Sequence, residues 1–151
     1  MSLLYIGTYT GKNSKGIYAC RFDAATGGGA LHELQTISTL PKSFQGDNSA
    51  AEMEVDRAGK FLYCSNRGHD SIAMFAIDPG PGTLAPLKYV SAQGKVPRHF
   101  TIALTRSHLL AANRDSNNVV FQLGAESGLL TPSGQALKAP SPVCLRFVTT
   151  E

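Results

Sequence analysis

Three stretches of this chain are versions of one another, and the repetition restricts the fold more than any single residue does. Asp23-Ala24-Ala25-Thr26-Gly27, Asp78-Pro79-Gly80-Pro81-Gly82 and Gly124-Ala125-Glu126-Ser127-Gly128 keep the same step to a glycine. Each follows an apolar run and precedes a Leu-rich one. A second pair agrees: Lys60-Phe61-Leu62-Tyr63-Cys64-Ser65-Asn66-Arg67 and His108-Leu109-Leu110-Ala111-Ala112-Asn113-Arg114 both end in Asn-Arg. A period in the forties, built only of strand-like runs and turns, is what the four-stranded blades of a β-propeller produce.

Twelve strands are expected: 3–10, 16–23, 31–38, 50–56, 60–67, 71–78, 84–92, 98–105, 108–114, 117–124, 130–138 and 142–149. Ser71–Ile77 alternates, whereas Phe61–Cys64 is continuously apolar, as in strands buried on both faces. With each blade's strands lettered A to D from the axis outward, 50–92 and 98–138 are complete blades. The remainder is complementary, since 3–38 supplies B, C and D and 142–149 supplies one A strand. The whole of 1–151 is thus read as one all-β propeller-type domain of three blades. An arc of three would leave two apolar faces bare. Two copies, each lending its last strand to the other's first blade, would close a six-bladed ring, so a strand-swapped homodimer is expected.

Composition narrows the function classes. The net charge is +3 and no Lys/Arg run occurs, which argues against a nucleic-acid or membrane partner. No apolar run approaches the ~20 residues of a membrane helix. The apolar run from Leu3 to Ile6 is too short for a signal peptide and lacks a basic start, so a soluble cytoplasmic protein is expected. Cys20, Cys64 and Cys144 have no metal-ligand spacing and read as buried reduced thiols. No metal or cofactor is expected.

Several strings resemble a known family. Tyr5-Ile6-Gly7-Thr8-Tyr9-Thr10 with Gly16-Ile17-Tyr18 looks like the opening of the bacterial 6-phosphogluconolactonases of the seven-bladed β-propeller type. Ala51-Glu52, then Ser65-Asn66-Arg67-Gly68-His69-Asp70-Ser71-Ile72, is similar to a later blade of that family. Pro97-Arg98-His99-Phe100 with Ala112-Asn113-Arg114-Asp115-Ser116-Asn117-Asn118 resembles the next, and Pro140-Ser141-Pro142-Val143-Cys144 the closing strand. Family members are longer. Here Gly27-Gly28-Gly29-Ala30-Leu31 runs straight into Gln35–Pro41, so the middle blades, with histidine and glutamate motifs of the family's site, are missing, and Glu54 stands where relatives often carry histidine.

The resemblance implies hydrolysis of a phosphorylated sugar lactone. That reaction needs a base to activate water and cationic forks for the anion. Glu52 and His99, in matching places on their A strands, are the candidate catalytic residues. Arg67 and Arg98, with Asn66 and Arg114, are the candidates for binding a small anionic sugar lactone. His69 reads as a blade-stabilising hydrogen-bond partner. Two alternatives stand beside this reading: a catalytically inactive propeller fragment or self-assembling scaffold, and a muconate-type cycloisomerase.

Overall fold

Alternating and continuously apolar runs become strands, and the glycine turns between them set the strand lengths. The computed structural model describes residues 2–9, 15–26 and 29–149. β1 (Ser2–Gly7), β2 (Ile17–Asp23) and β3 (Ala30–Ile37) form a three-stranded antiparallel sheet. β4 (Ser49–Val55), β5 (Phe61–Arg67), β6 (Ser71–Ile77) and β7 (Leu84–Ser91) form the second, in that order. β8 (Pro97–Ile102), β9 (His108–Asn113), β10 (Asn118–Leu123) and β11 (Leu130–Leu137) form the third. These are three consecutive propeller blades, with the inner strands β4 and β8 side by side and β1 beside β4.

The middle blade explains its own sequence. β6 is buried along nearly its whole length because both faces are covered. Successive strand residues point to opposite faces. Ile72 and Met74 therefore join Phe100, Leu109, Val119 and Phe121 in one core, against the third blade. Ala73, Phe75 and Ile77 join Ile17 and Leu62 in another, against the first.

The repeated turn closes each interface in the same way. The Tyr5 hydroxyl donates to the Gly82 carbonyl at 2.9 Å, and the Tyr63 hydroxyl to the Gly128 carbonyl at 2.9 Å. Both glycines have positive φ, +81° and +66°, and a Cβ would collide with Leu3 and Phe61 of the preceding blade. This is why the step ends in glycine. Gly27, its counterpart in the first turn, lies outside the described residues.

Three expectations are corrected or narrowed. Residues 142–149 form no ladder, so the first sheet has three strands and the inner edge of β1 is unpaired among the described residues. An open arc leaves that edge out of reach of the segment, whose Leu145 N–H instead donates to His99 in β8. Cys144, on this unladdered segment, is exposed, whereas Cys20 and Cys64 are buried as expected. The strand expected over 98–105 ends at Ile102, where Ala103 opens a turn closed by the Arg106 N–H. Thr10, the expected end of the first strand, lies outside the described residues.

Candidate functional site

Both inner strands are interrupted by bulges at the positions singled out from sequence. In β4 the register shifts between Ala50, opposite Asn66, and Met53, opposite Cys64. In β8 it shifts between Pro97, opposite Asn113, and His99, opposite Ala112. With Asn66 and Asn113 aligned, Glu52 and His99 occupy equivalent places. Bulges re-aim side chains and gather beside functional sites. Here they bring Glu52 Oε2 within 3.1 Å of His99 Nε2.

His99 is buried, with 8% of its side chain exposed against 32% for Glu52. Leu145 N–H donates to Nδ1 at 3.3 Å, so a neutral imidazole carries its own proton on Nε2, the nitrogen facing Glu52. The Glu52–His99 contact is close but not aligned as a directed hydrogen bond. Burial pushes the imidazole pKa below its ordinary value; Glu52 pulls it back, and Arg146 lowers it further. The other Glu52 oxygen accepts from Met53 N–H at 3.2 Å. Glu54, two residues on, accepts from Ile102 N–H at 3.1 Å. Its carboxyl pKa is raised, chiefly by burial.

The backbone leading into β8 is strained. Val96 has φ +57°. For a β-branched residue before a proline this conformation is rare. It is held from two sides: its N–H donates to Asp70 Oδ1 at 2.9 Å, and its carbonyl accepts from Arg114 N–H at 2.9 Å. Strain of this kind marks places whose geometry the surroundings dictate, and here only Pro97 separates it from Arg98 and His99.

The candidate arginines fare differently. Arg67 is half-buried, donates from Nη2 to the Ala50 carbonyl at 3.3 Å and lies 5.6 Å from the Tyr9 ring centroid. Its Nε is buried without a partner among the described residues. Tyr9 and Ala50, the residues it touches, line a cavity of about 410 Å³ between the first two blades. Arg98 is exposed, and its guanidinium makes no hydrogen bond or ion pair among the described residues. Arg114 is not part of this group: it grips Asp115 through two hydrogen bonds of 2.7 and 3.1 Å. Asn66 is fully buried, its amide donating to Thr39 O at 2.7 Å and to Ser71 Oγ at 3.3 Å while its oxygen accepts from Asn48. That side chain holds the turn rather than facing a ligand. His69 is structural, with Nδ1 2.7 Å from Ser71 Oγ.

Sequence reasoning missed Tyr9, Leu145 and Arg146. Tyr9 lies within the opening string Tyr5–Thr10, so its signal was present. The other two act through the path of 142–149, which no local pattern specifies.

Known proteins agree with this architecture. Residues 24–147 match the family model described as "Lactonase, 7-bladed beta-propeller". The chain is 36% identical over 121 residues to a Bacillus subtilis 6-phosphogluconolactonase, covering 80% of this chain and 35% of that one. A crystal structure of a protein from Lactobacillus plantarum superposes with a TM-score of 0.87 at 29% identity, covering 97% of this chain and 42% of the other. The periplasmic gluconolactonase of Pseudomonas aeruginosa superposes with a TM-score of 0.81 at 31% identity, covering 88% and 36%. The chain thus spans between about a third and two fifths of the length of these relatives.

Proposed function

We propose, from the premise that this chain belongs to the seven-bladed β-propeller lactonase family, that its Glu52–His99 pair serves lactone hydrolysis on a phosphorylated sugar acid. The 3.1 Å approach of Glu52 Oε2 to His99 Nε2 carries the reading. Both ring nitrogens of His99 are engaged or facing a partner, whereas Glu52 keeps free lone pairs and some exposure. Glu52 is therefore the base and His99 the residue that positions it. Glu52 takes a proton from water as the oxygen attacks the lactone carbonyl carbon. The ring C–O bond then breaks, and the proton returns to the departing alkoxide. Arg67, braced by Tyr9, and the unengaged Arg98 hold the phosphate; arginine suits this as a planar, permanently charged fork. A phosphorylated substrate is anionic, and an unpaired charge is costly to move through a bilayer, which fits a cytoplasmic setting.

The test is hydrolysis of 6-phosphoglucono-δ-lactone measured against the spontaneous rate. The chain should exceed that rate, and Glu52→Gln should lose about 100-fold or more of the excess. Arg67→Ala should act mainly on KM. No excess rate, or an unimpaired Glu52→Gln, overturns the reading.

We further propose that a second copy of the chain completes the ring. Leu4, Ile6, Phe22 and Leu31 stand 40%, 39%, 37% and 54% exposed on the first blade, and the adjacent β1 edge is unpaired among the described residues. An open edge beside an apolar face invites another strand, and 142–149 is an unladdered segment able to supply it. Light scattering should give twice the 16.0 kDa chain mass; a monomer sinks the ring.

A further inference from the structure

The A–B turns of the second and third blades are copies in backbone and opposites in side chain. In one, Asp56 N–H donates to Phe61 O and Gly59 N–H to Asp56 O, both at 2.9 Å. In the other, Ala103 N–H donates to His108 O at 2.9 Å and Arg106 N–H to Ala103 O at 2.8 Å. The equivalent residues Gly59 and Arg106 have φ of +69° and +60°. Side chains rarely adopt this left-handed conformation. Gly59 meets it with glycine, although a Cβ there would have open space. Arg106 meets it with a long cationic side chain. Strained conformations of this kind persist where a function retains them.

Arg106 borders a cleft of about 520 Å³ between these two blades, at the rim away from the Asn-Arg turns. That volume lies within the range of small-molecule sites. Phe61, Ile102 and Leu123 give the cleft an apolar lining, and Arg57, from the twin turn, also borders it. Its acids are already committed. Asp56 Oδ1 accepts from the N–H groups of Lys60 and Phe61, both at 2.7 Å, and Oδ2 from Ala58 at 3.1 Å. Glu126 pairs with Lys60 at 3.5 Å. Glu54 holds Ile102 N–H at 3.1 Å. The guanidinium groups of Arg57 and Arg106 make no hydrogen bond or ion pair among the described residues. The cleft thus offers two guanidinium groups above an apolar lining.

We propose that this inter-blade cleft binds a small organic carboxylate with an apolar body, the carboxylate on Arg106 and Arg57 and the body on Phe61, Ile102 and Leu123. The site is separate from the Glu52–His99 pair and independent of the lactonase reading, so either can fail alone.

The repeat supplies the experiment. Arg106→Gly installs the residue that the same turn uses in the second blade, so folding should be unimpaired and the thermal midpoint equal or higher. Titrate 2-naphthoate into the full chain, following amide NMR shifts, with neutral 2-naphthalenemethanol as control. Saturable shifts should centre on 102–106, 57–61 and 123–126. Arg106→Gly and Arg57→Gln should each weaken binding by about tenfold or more, the worth of a charge-assisted hydrogen bond. The anion's advantage over the alcohol should shrink in both variants. No saturable shift in the cleft, shifts centred on Tyr9 and Arg67 instead, or a variant binding as tightly as the parent would each overturn the proposal.

Discussion

Tyr63→Phe tests whether the hydroxyl–glycine staples hold the blades together. The Tyr63 ring is fully buried in the core between the second and third blades. Its hydroxyl donates to Gly128 O across 65 residues of sequence, at 2.9 Å. Removing one oxygen leaves the ring packing intact and opens no sizeable cavity, so the loss reports the bond itself. A neutral hydrogen bond contributes about 1 kcal/mol net, and a buried carbonyl left without its donor costs about 1–3 kcal/mol. The expected destabilisation is about 1–3 kcal/mol. In a chain of this size each kcal/mol lowers the midpoint by about 2–4 °C. The control is Tyr5→Phe, which removes a bond of the same length in a half-buried setting and should cost less, about 0.5–1.5 kcal/mol. Urea unfolding followed by far-UV circular dichroism, at one protein concentration, should show a lower midpoint with an unchanged m value. Loss below about 0.5 kcal/mol for Tyr63→Phe, or a greater loss for Tyr5→Phe, refutes the staple.

Glycine substitutions should separate conformation from crowding. At Gly68, φ is +118° and a Cβ would collide with the Asp47 carbonyl, so Gly68→Ala should cost about 2 kcal/mol or more; Gly59→Ala, with φ +69° and open space, should cost about 1 kcal/mol. Equal losses in chemical denaturation would count against the collision. Because the folded-state pKa of His99 is depressed, the unfolded chain binds the extra proton first. Stability should therefore fall as pH drops below about 6.5, with a slope of at most about 1.4 kcal/mol per unit from this group. His99→Asn should flatten that portion of the stability curve, and an unaltered slope would show that His99 is not the group. Glu54 has the opposite sign: its raised pKa means that stability declines as pH rises through the window above the ordinary carboxylate value. Glu54→Gln should remove that decline.

Most of the strand plan was legible because it is written locally. The alternation in Ser71–Ile77 and the glycine steps at Gly82 and Gly128 depend only on pleat geometry and positive φ, and each strand they delimit is present. The pairing of Glu52 with His99 was half legible. Their matching places were readable, but the bulges that turn them toward each other arise from cross-strand register. The path of 142–149 was not legible at all. A strand with an open edge to join and a segment lying against His99 have the same local sequence, and only the closure of the arc decides between them. The exposure of Cys144 follows from that one difference.

The two Asn-Arg pairs show how a repeat separates framework from function. Asn66 and Asn113 do the same work: each amide nitrogen holds the linker entering its blade, at Thr39 O over 2.7 Å and at Ala92 O over 3.0 Å. The arginines beside them part company. Arg114 is followed by Asp115, which captures it on the surface. Arg67 is followed by Gly68, whose close approach to Asp47 admits no side chain, so the next position carries no acid to hold it outward. It folds over Tyr9 beside the cavity instead. Two residues with the same local motif thus reach different fates, one held by the acid that follows it and the other by Ala50 and Tyr9. The member that repeats in both sequence and contacts is scaffold. The member that repeats only in sequence is where a ligand-binding role has room to arise.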